Sequence, residues 1–482
     1  MLFNSIQFAV FLPIVFFIYW IIGYAKISDS LKLRMQNSFV VIASYVFYGW
    51  WDWRFLILIA FTSFCSWGSG LLIHRTSLIR RKIVSSKFWL VANIVLNLGI
   101  LAVFKYYDFF VTSFAGMLGV DASRHLLNVI LPVGISFYTF QALSYSIDVY
   151  RGKIQPTKDA VAFFAYVSFF PQLVAGPIER ATNLLPQFEK NRSFDYAEAV
   201  DGCRRILWGL FKKIIVADNC AIYVDQIWGN YANQSGSTLV LAAILFAFQV
   251  YGDFSGYSDI AIGTSKLFGI TLMDNFLTPY FSRNVAEFWK RWHISLNTWF
   301  VDYVYIPLGG SREGRWNTIR NTFVIFLLSG LWHGANWTYV GWGAYHALLF
   351  VPLILLGTTK KYRDTARFSQ FPQIILTFIL VAFGLIIFRA PSIVDAWEYV
   401  SKMFSSGLLT MPYLVNRHYY MPLFVNLMIL VCMEWCNRNR KHPLDLSFIH
   451  NHMIKYAIYI ILILLIIFFT PPTPSPFIYF QF

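Results

Sequence analysis

The heptapeptide Leu331-Trp332-His333-Gly334-Ala335-Asn336-Trp337 places an imidazole inside a stretch otherwise made for lipid. Its flanks, Thr322 to Gly330 and Thr338 to Trp342, are apolar and aromatic. An ionisable group at membrane depth costs free energy and marks a functional position unless a structural partner explains it. The structural alternative is a satisfied histidine at a helix turn. Of the chain's nine histidines, His293, His333 and His346 fall in or beside such apolar segments. His74, His442, His450 and His452 lie in basic stretches where solvent is expected around them, and His125 and His418 in expected outer loops. Only His333 precedes a small-residue pair, Gly334-Ala335, which lets a substrate or a backbone come close. A near-neutral imidazole can take a proton from a hydroxyl or return one. No serine elbow accompanies it, which argues against a serine triad. No His, Cys and carboxylate set has zinc spacing, so no metal site is expected.

Buried carboxylates are the second signal. Tyr251-Gly-Asp-Phe-Ser-Gly-Tyr-Ser-Asp259 sets Asp253 and Asp259 in a long apolar region. They either orient a histidine, bind a polar substrate or form structural pairs. Gly252 and Gly256 are spaced for close helix packing. Phe169-Phe-Pro-Gln-Leu-Val-Ala-Gly-Pro-Ile-Glu-Arg180 breaks a helix twice, and broken backbone at membrane depth must face protein or a cavity; we expect a cavity lining.

The elements that position these groups are membrane helices. The 482 residues are 57% hydrophobic and only 13% charged, against about half and a quarter in soluble domains. Apolar runs recur near 7–25, 36–53, 55–73, 88–104, 129–149, 160–178, 206–222, 238–270, 319–357, 373–389, 420–436 and 454–470. The runs 238–270 and 319–357 are each long enough for a hairpin or a broken helix. The expectation is an all-α polytopic protein of about 11 spans. Residues 1–482 read as one integral membrane domain, since no soluble stretch or linker divides them. The first apolar run lacks a basic leader and a cleavage site, so it is expected to stay as a helix.

The net charge of +15 sits in short loops, among them Arg75 to Lys87, Lys360 to Arg367 and Arg438-Asn-Arg-Lys441. That is the positive-inside pattern, and it accounts for the charge without a nucleic-acid partner. It puts the N-terminus outside, and the aromatic tail after Pro471 is placed there too, which requires an even number of spans. Five cysteines show no metal or disulfide spacing and read as buried apolar residues. The stretch from about 271 to 320 is too polar to span. From Val285 to Tyr305, helical spacing puts Phe288, Trp292, Trp299 and Tyr303 near one side, which predicts either a plain amphipathic surface helix, the commoner use of such a pattern, or an interfacial or re-entrant helix.

Six segments together resemble the membrane-bound O-acyltransferase superfamily, in particular its bacterial alginate O-acetyltransferase-like branch. They are Leu131 to Phe140, Phe170 to Pro177, Asp253 to Asp259, Phe288 to Leu296, Tyr303 to Gly310 and Ser329 to Gly334, in family order over a core of about 130–350. The resemblance implies a fold of spans plus re-entrant helices enclosing a funnel or tunnel, and acyl transfer to a hydroxyl. The family's invariant histidine corresponds to His333 and its second histidine to His293. The family motif carries an Arg before Asp-Tyr where this chain has Val301, so Lys290, Arg291, Arg283 or Arg312 would have to contact the acyl donor instead. Trp332, Asn336, Asp253, Asp259 and Asn297 are expected around the pocket. The branch implies a multi-pass protein of the bacterial inner membrane with no resident cofactor. It implies acetyl-CoA as donor substrate and a polysaccharide acceptor (alginate-like or peptidoglycan), reached through an extracytoplasmic partner protein. Two other readings stand beside it: D-alanyl transfer to teichoic acid, and transport of a lipid-linked sugar, for which one broken helix without a counterpart is a partial match.

Overall fold

In a computed structural model, residues 1–78, 85–174, 176–359, 362, 364–413, 417–473 and 475–480 are described, and they contain helices and no strand. Seven helices are long and apolar enough to cross a membrane: Ile6–Tyr24, Phe55–Leu78, Ser86–Leu118, Gly236–Leu267, Trp337–Leu355, Phe368–Arg389 and His452–Phe469. Their outward faces are apolar; Ile460, Ile461, Leu464, Ile467 and Phe468 of the last one are all exposed. Such a surface suits lipid and not water. The chain is a multi-pass membrane protein.

The chain divides into two compact units. The first comprises Met1–Cys203 and Ala261–Met273. It holds α1 (Ile6–Tyr24), α2 (Asp29–Gly49), α3 (Phe55–Leu78), α4 (Ser86–Leu101) with its continuation α5 (Tyr107–Leu118), α6 (Ile135–Tyr150), α7 (Ala160–Ser168), α8 (Phe170–Leu173) and α9 (Ala181–Phe188). Polar side chains tie these apolar helices together. Asn93 of α4 donates to Ser146 of α6 at 2.8 Å, and Ser66 of α3 donates to Asn93 at 3.2 Å. In a low-dielectric interior such bonds fix which faces meet. The break expected near Phe169 separates α7 from α8. Protein side chains satisfy its backbone: Gln141 and Gln172 both donate to the Tyr166 carbonyl, and Ser44 Oγ accepts from the Phe170 amide.

The second unit comprises Arg204–Ile260 and Asp274–Phe482. Helix α10 (Tyr196–Leu210) runs through a π-helical stretch, Phe211–Ala217, into α11 (Asp218–Trp228). Helix α12 (Gly236–Leu267) is one continuous helix, not the hairpin or broken helix that its length allowed. Its glycines let it lie directly on the preceding stretch: a Cβ at Gly256 would meet the Gly209 carbonyl at 2.8 Å, and one at Gly252 the Lys212 carbonyl at 2.8 Å. The run 319–357 does form a hairpin, of α15 (Arg315–His333) and α16 (Trp337–Leu355). A Cβ at Gly330 would collide with the Tyr339 carbonyl, so only glycine permits this backbone approach.

The segment Val285–Tyr305 departs from the single helix predicted. It is α13 (Val285–Arg291), a break at Trp292-His293, α14 (Ile294–Phe300) and a π turn. His293 stands at φ 44°, a left-handed conformation that no helix continues through. The remaining helices are α17 (Phe371–Arg389), α18 (Ile393–Met403), α19 (Arg417–Cys436) and α20 (His452–Phe469). After α20 the tail turns inward and buries Phe477 and Ile478. Of the cysteines only Cys220 is buried; Cys203, Cys432 and Cys436 are exposed on helices, where an apolar thiol can face lipid. His442, expected in solvent, is buried.

Candidate active site

His333 ends α15 because Gly334 and the Asn336 cap that follow start a new helix. Asn336 Oδ1 accepts from the Thr338 amide, and its amide group donates to the Pro391 carbonyl. Asn336 therefore caps α16 and holds the hairpin. His293 is projected by the break between α13 and α14. Asn297 clamps that break by donating to the Trp289 carbonyl at 2.6 Å and to the Trp292 carbonyl.

The two histidines meet across shared rings. Trp332 lies 5.0 Å from His333 and 5.7 Å from His293 between ring centroids. Tyr479, from the inturned tail, lies 5.6 Å from His333, 6.5 Å from His293 and 6.1 Å from Trp332. Trp342 and Phe388 close the other sides of His333 at 5.1 and 5.4 Å. A cavity of about 20 Å³, room for about one water, opens among His333, His346, Trp292 and Tyr479.

Hydrogen bonds orient His293 and His346. His293 Nδ1 is 3.1 Å from Asn275 Oδ1. The Ser295 amide and hydroxyl also reach Asn275 Oδ1, and a backbone amide can only donate, so that atom is an acceptor. The proton of neutral His293 is then on Nδ1, which leaves Nε2 as the basic nitrogen. Ser258 Oγ accepts from Asn275 Nδ2 at 3.1 Å and holds the amide in place. In the sequence Asn275 is only one member of a polar segment; its role needs the fold. For His346, the donor-only Trp289 indole reaches Nδ1 at 3.3 Å, which fixes its proton on Nε2.

The aspartates are elsewhere engaged. Asp253 pairs with Lys213 at 2.7 Å and accepts from the Ile478 amide at 2.6 Å. Asp259 pairs with Arg205 at 2.8 Å and Lys212 at 2.6 Å. Both are buried among these cations. Their cations are hidden in the sequence because Lys212 and Lys213 sit in an apolar run that reads as a span. Of the four expected donor contacts, Arg283 is held by Glu287 and Asp364, and Arg291 by Glu287 and the Leu277 carbonyl. Lys290 and Arg312 are exposed. No group of three or more metal-binding side chains occurs among the described residues.

Residues 156–394 match the model of the membrane-bound O-acyltransferase family. A probable alginate O-acetylase of Pseudomonas aeruginosa is 39% identical over 410 residues, 84% of this chain and 75% of that protein. A peptidoglycan O-acetyltransferase of Helicobacter pylori is 32% identical, with 92% of this chain and 90% of that protein covered. A teichoic acid D-alanyltransferase of Bacillus subtilis is 30% identical but covers only 54% of this chain.

Proposed function

Since the chain belongs to the membrane-bound O-acyltransferase family, we propose that it is a membrane O-acetyltransferase for an extracytoplasmic polysaccharide, alginate-like or peptidoglycan, in the bacterial inner membrane. Family membership makes it an acyltransferase, which sets the transport reading aside. The observation that carries the proposal is the pair His333 and His293, packed against the same indole in a chamber walled by aromatic rings.

The donor is acetyl-CoA, which enters as substrate and not as a resident cofactor. His333 takes the proton of the acceptor hydroxyl as its oxygen attacks the thioester carbonyl. The C–S bond then breaks, the proton passes to the leaving thiolate, and an acetyl ester and free thiol result. A positioned imidazole contributes about 10²–10⁴-fold to such a step. His293, oriented by Asn275, positions or assists. Lys290, which donates to the Thr359 carbonyl at 2.9 Å, and Arg312 are the two expected cations that are exposed. In this reading about 11 spans, interrupted helices included, carry the acetyl group to a partner protein outside.

A D-alanyl transfer reading rests on the Bacillus subtilis relative. The acetyl reading is preferred because the relatives named for acetyl transfer match along 84% and 92% of this chain, so the likeness extends beyond the segment shared with the D-alanyl relative. The test is purified protein with labelled acetyl-CoA, with and without an extracytoplasmic acceptor protein. Label transfer by wild type that is lost in His333→Ala and reduced in His293→Ala is expected. Wild type that never turns over acetyl-CoA, yet uses a carrier-bound D-alanine, would replace this reading with the second one.

A further inference from the structure

A second cavity in the same unit, about 40 Å³, has a composition unlike the histidine chamber. Five cationic side chains line it, Arg205, Lys212, Arg438, Arg440 and Lys441, against two carboxylates, Asp259 and Glu434. The carboxylates are already committed. Asp259 is bound by Arg205 and Lys212, and Glu434 accepts from the Tyr251 hydroxyl at 2.7 Å. Asp274 takes up a further Arg205 donor.

The outer cations differ. Arg438 donates to the Ala366 and Trp435 carbonyls and lies over the Trp435 ring; Arg440 donates to Ser447 and lies over Phe448. Among the described residues neither they nor Lys441 pairs with a carboxylate. Beside them Asn437, 4% exposed, keeps an Oδ1 with no hydrogen-bond partner among the described residues. A buried acceptor of this kind can be met by an ordered water or by a ligand donor. Thr278, a β-branched residue held at φ 43°, also lines the cavity, and such a conformation persists only where the surroundings impose it.

The cavity borders the candidate active site. Phe276 lines it and stacks on His293, with ring centroids 6.4 Å apart and planes at 26°. One aromatic ring therefore separates the basic pocket from the imidazole.

We propose that this is a phosphate-binding pocket: Arg438, Arg440 and Lys441 hold a phosphate ester or diphosphate, and Asn437 accepts a hydrogen bond from a hydroxyl or amide of the same ligand. Arginine forks and lysine ammonium groups with no carboxylate partner suit phosphate oxygens. The ligand is either a soluble phosphate-bearing acyl donor, in which case the pocket rests on the acetyl-transfer reading above, or the headgroup of an anionic lipid.

The test measures binding of coenzyme A to the full-length protein in nanodiscs of neutral lipid, with pantetheine as the phosphate-free control. Each charge-assisted bond lost weakens binding by about tenfold or more, so Arg440→Ala/Lys441→Ala is expected to weaken coenzyme A binding at least that much and leave pantetheine unchanged. Both residues are exposed, so the variant is expected to keep the wild-type melting temperature. Asn437→Asp is expected to weaken binding as well, by placing a carboxylate against the phosphate. In a second arm, nanodiscs containing phosphatidylglycerol replace the neutral ones. Lipid retention that falls in the same variants, with coenzyme A unaffected, would support the pocket with the lipid as its occupant. Unchanged binding of both ligands in Arg440→Ala/Lys441→Ala, or loss only in Lys290→Ala/Arg312→Ala, would overturn the pocket. Turnover of acetyl-CoA with the pocket overturned leaves the acetyl reading standing; a pocket that binds coenzyme A without turnover does the reverse.

Discussion

Two clusters of ionisable residues lie within the second unit, and they are built on opposite rules. Around His333 stand the rings of Trp332, Trp342, Phe388 and Tyr479, and His293 shares Trp332 and Tyr479 while Asn275 holds its Nδ1. Around Asp253 and Asp259 the neighbours are cations, and each of these two carboxylates has at least one within 2.8 Å. Lys213 binds Asp218 at 2.7 Å as well as Asp253, and donates to the Ser475 carbonyl at 3.0 Å, so the charged cluster also anchors the tail that carries Tyr479. The difference separates two jobs. A paired carboxylate is neutralised and rigid, which suits architecture. An imidazole can take up a proton and return it, which suits proton transfer.

Breaking the two clusters should therefore give different phenotypes. The largest effect is expected from His333→Ala: a loss of about 10²–10⁴-fold in acetyl transfer with an unchanged melting temperature. A fall in both would move His333 to the structural side of the comparison. For the charged cluster, Asp253→Ala leaves Lys213 with one carboxylate fewer and is expected to lower stability by about 3–5 kcal/mol, read by denaturant titration in detergent. Replacing the three charges together, Lys213→Met with Asp253→Leu and Asp218→Asn, should recover most of that loss, because no buried charge is left alone. If the triple variant is no more stable than the single, Asp253 has a role beyond pairing. Asn275→Ala frees the His293 ring while leaving the imidazole, and a fall of about tenfold in transfer is expected from the lost orienting bond. Activity restored by Asn275→Ser, which returns a hydroxyl acceptor, would confirm an orienting role, and full activity in Asn275→Ala would remove it. The smallest effect belongs to Asn336→Ala: about 1 kcal/mol of stability from the lost cap, with chemistry otherwise preserved.

Much of this molecule is legible in its residues alone. His333 stands out because an imidazole beside Gly334-Ala335 has no ordinary reason to stand in an apolar run. Gly252 and Gly256 announce close packing, and the helix pair on either side of Gly334 follows from run length. Other readings fail for identifiable reasons. Periodicity treats Val285–Tyr305 as one helix because the ring pattern continues across it, while the left-handed His293 interrupts the backbone without disturbing that pattern. His442 reads as solvated because its neighbours Arg440 and Lys441 are charged, yet it is buried in the wall of the basic cavity.

Chain order and composition alone settle that this is an all-helical membrane protein with an acyltransferase's motifs, because apolar run length and residue type are local properties. Tertiary structure decided who faces whom. That Lys213 answers Asp253 from a different helix, that Asn275 holds His293, and that a tail after Pro471 brings Tyr479 against His333 all depend on segments distant in sequence. Such pairings are set by which helix faces pack, and a single chain read residue by residue carries no record of them.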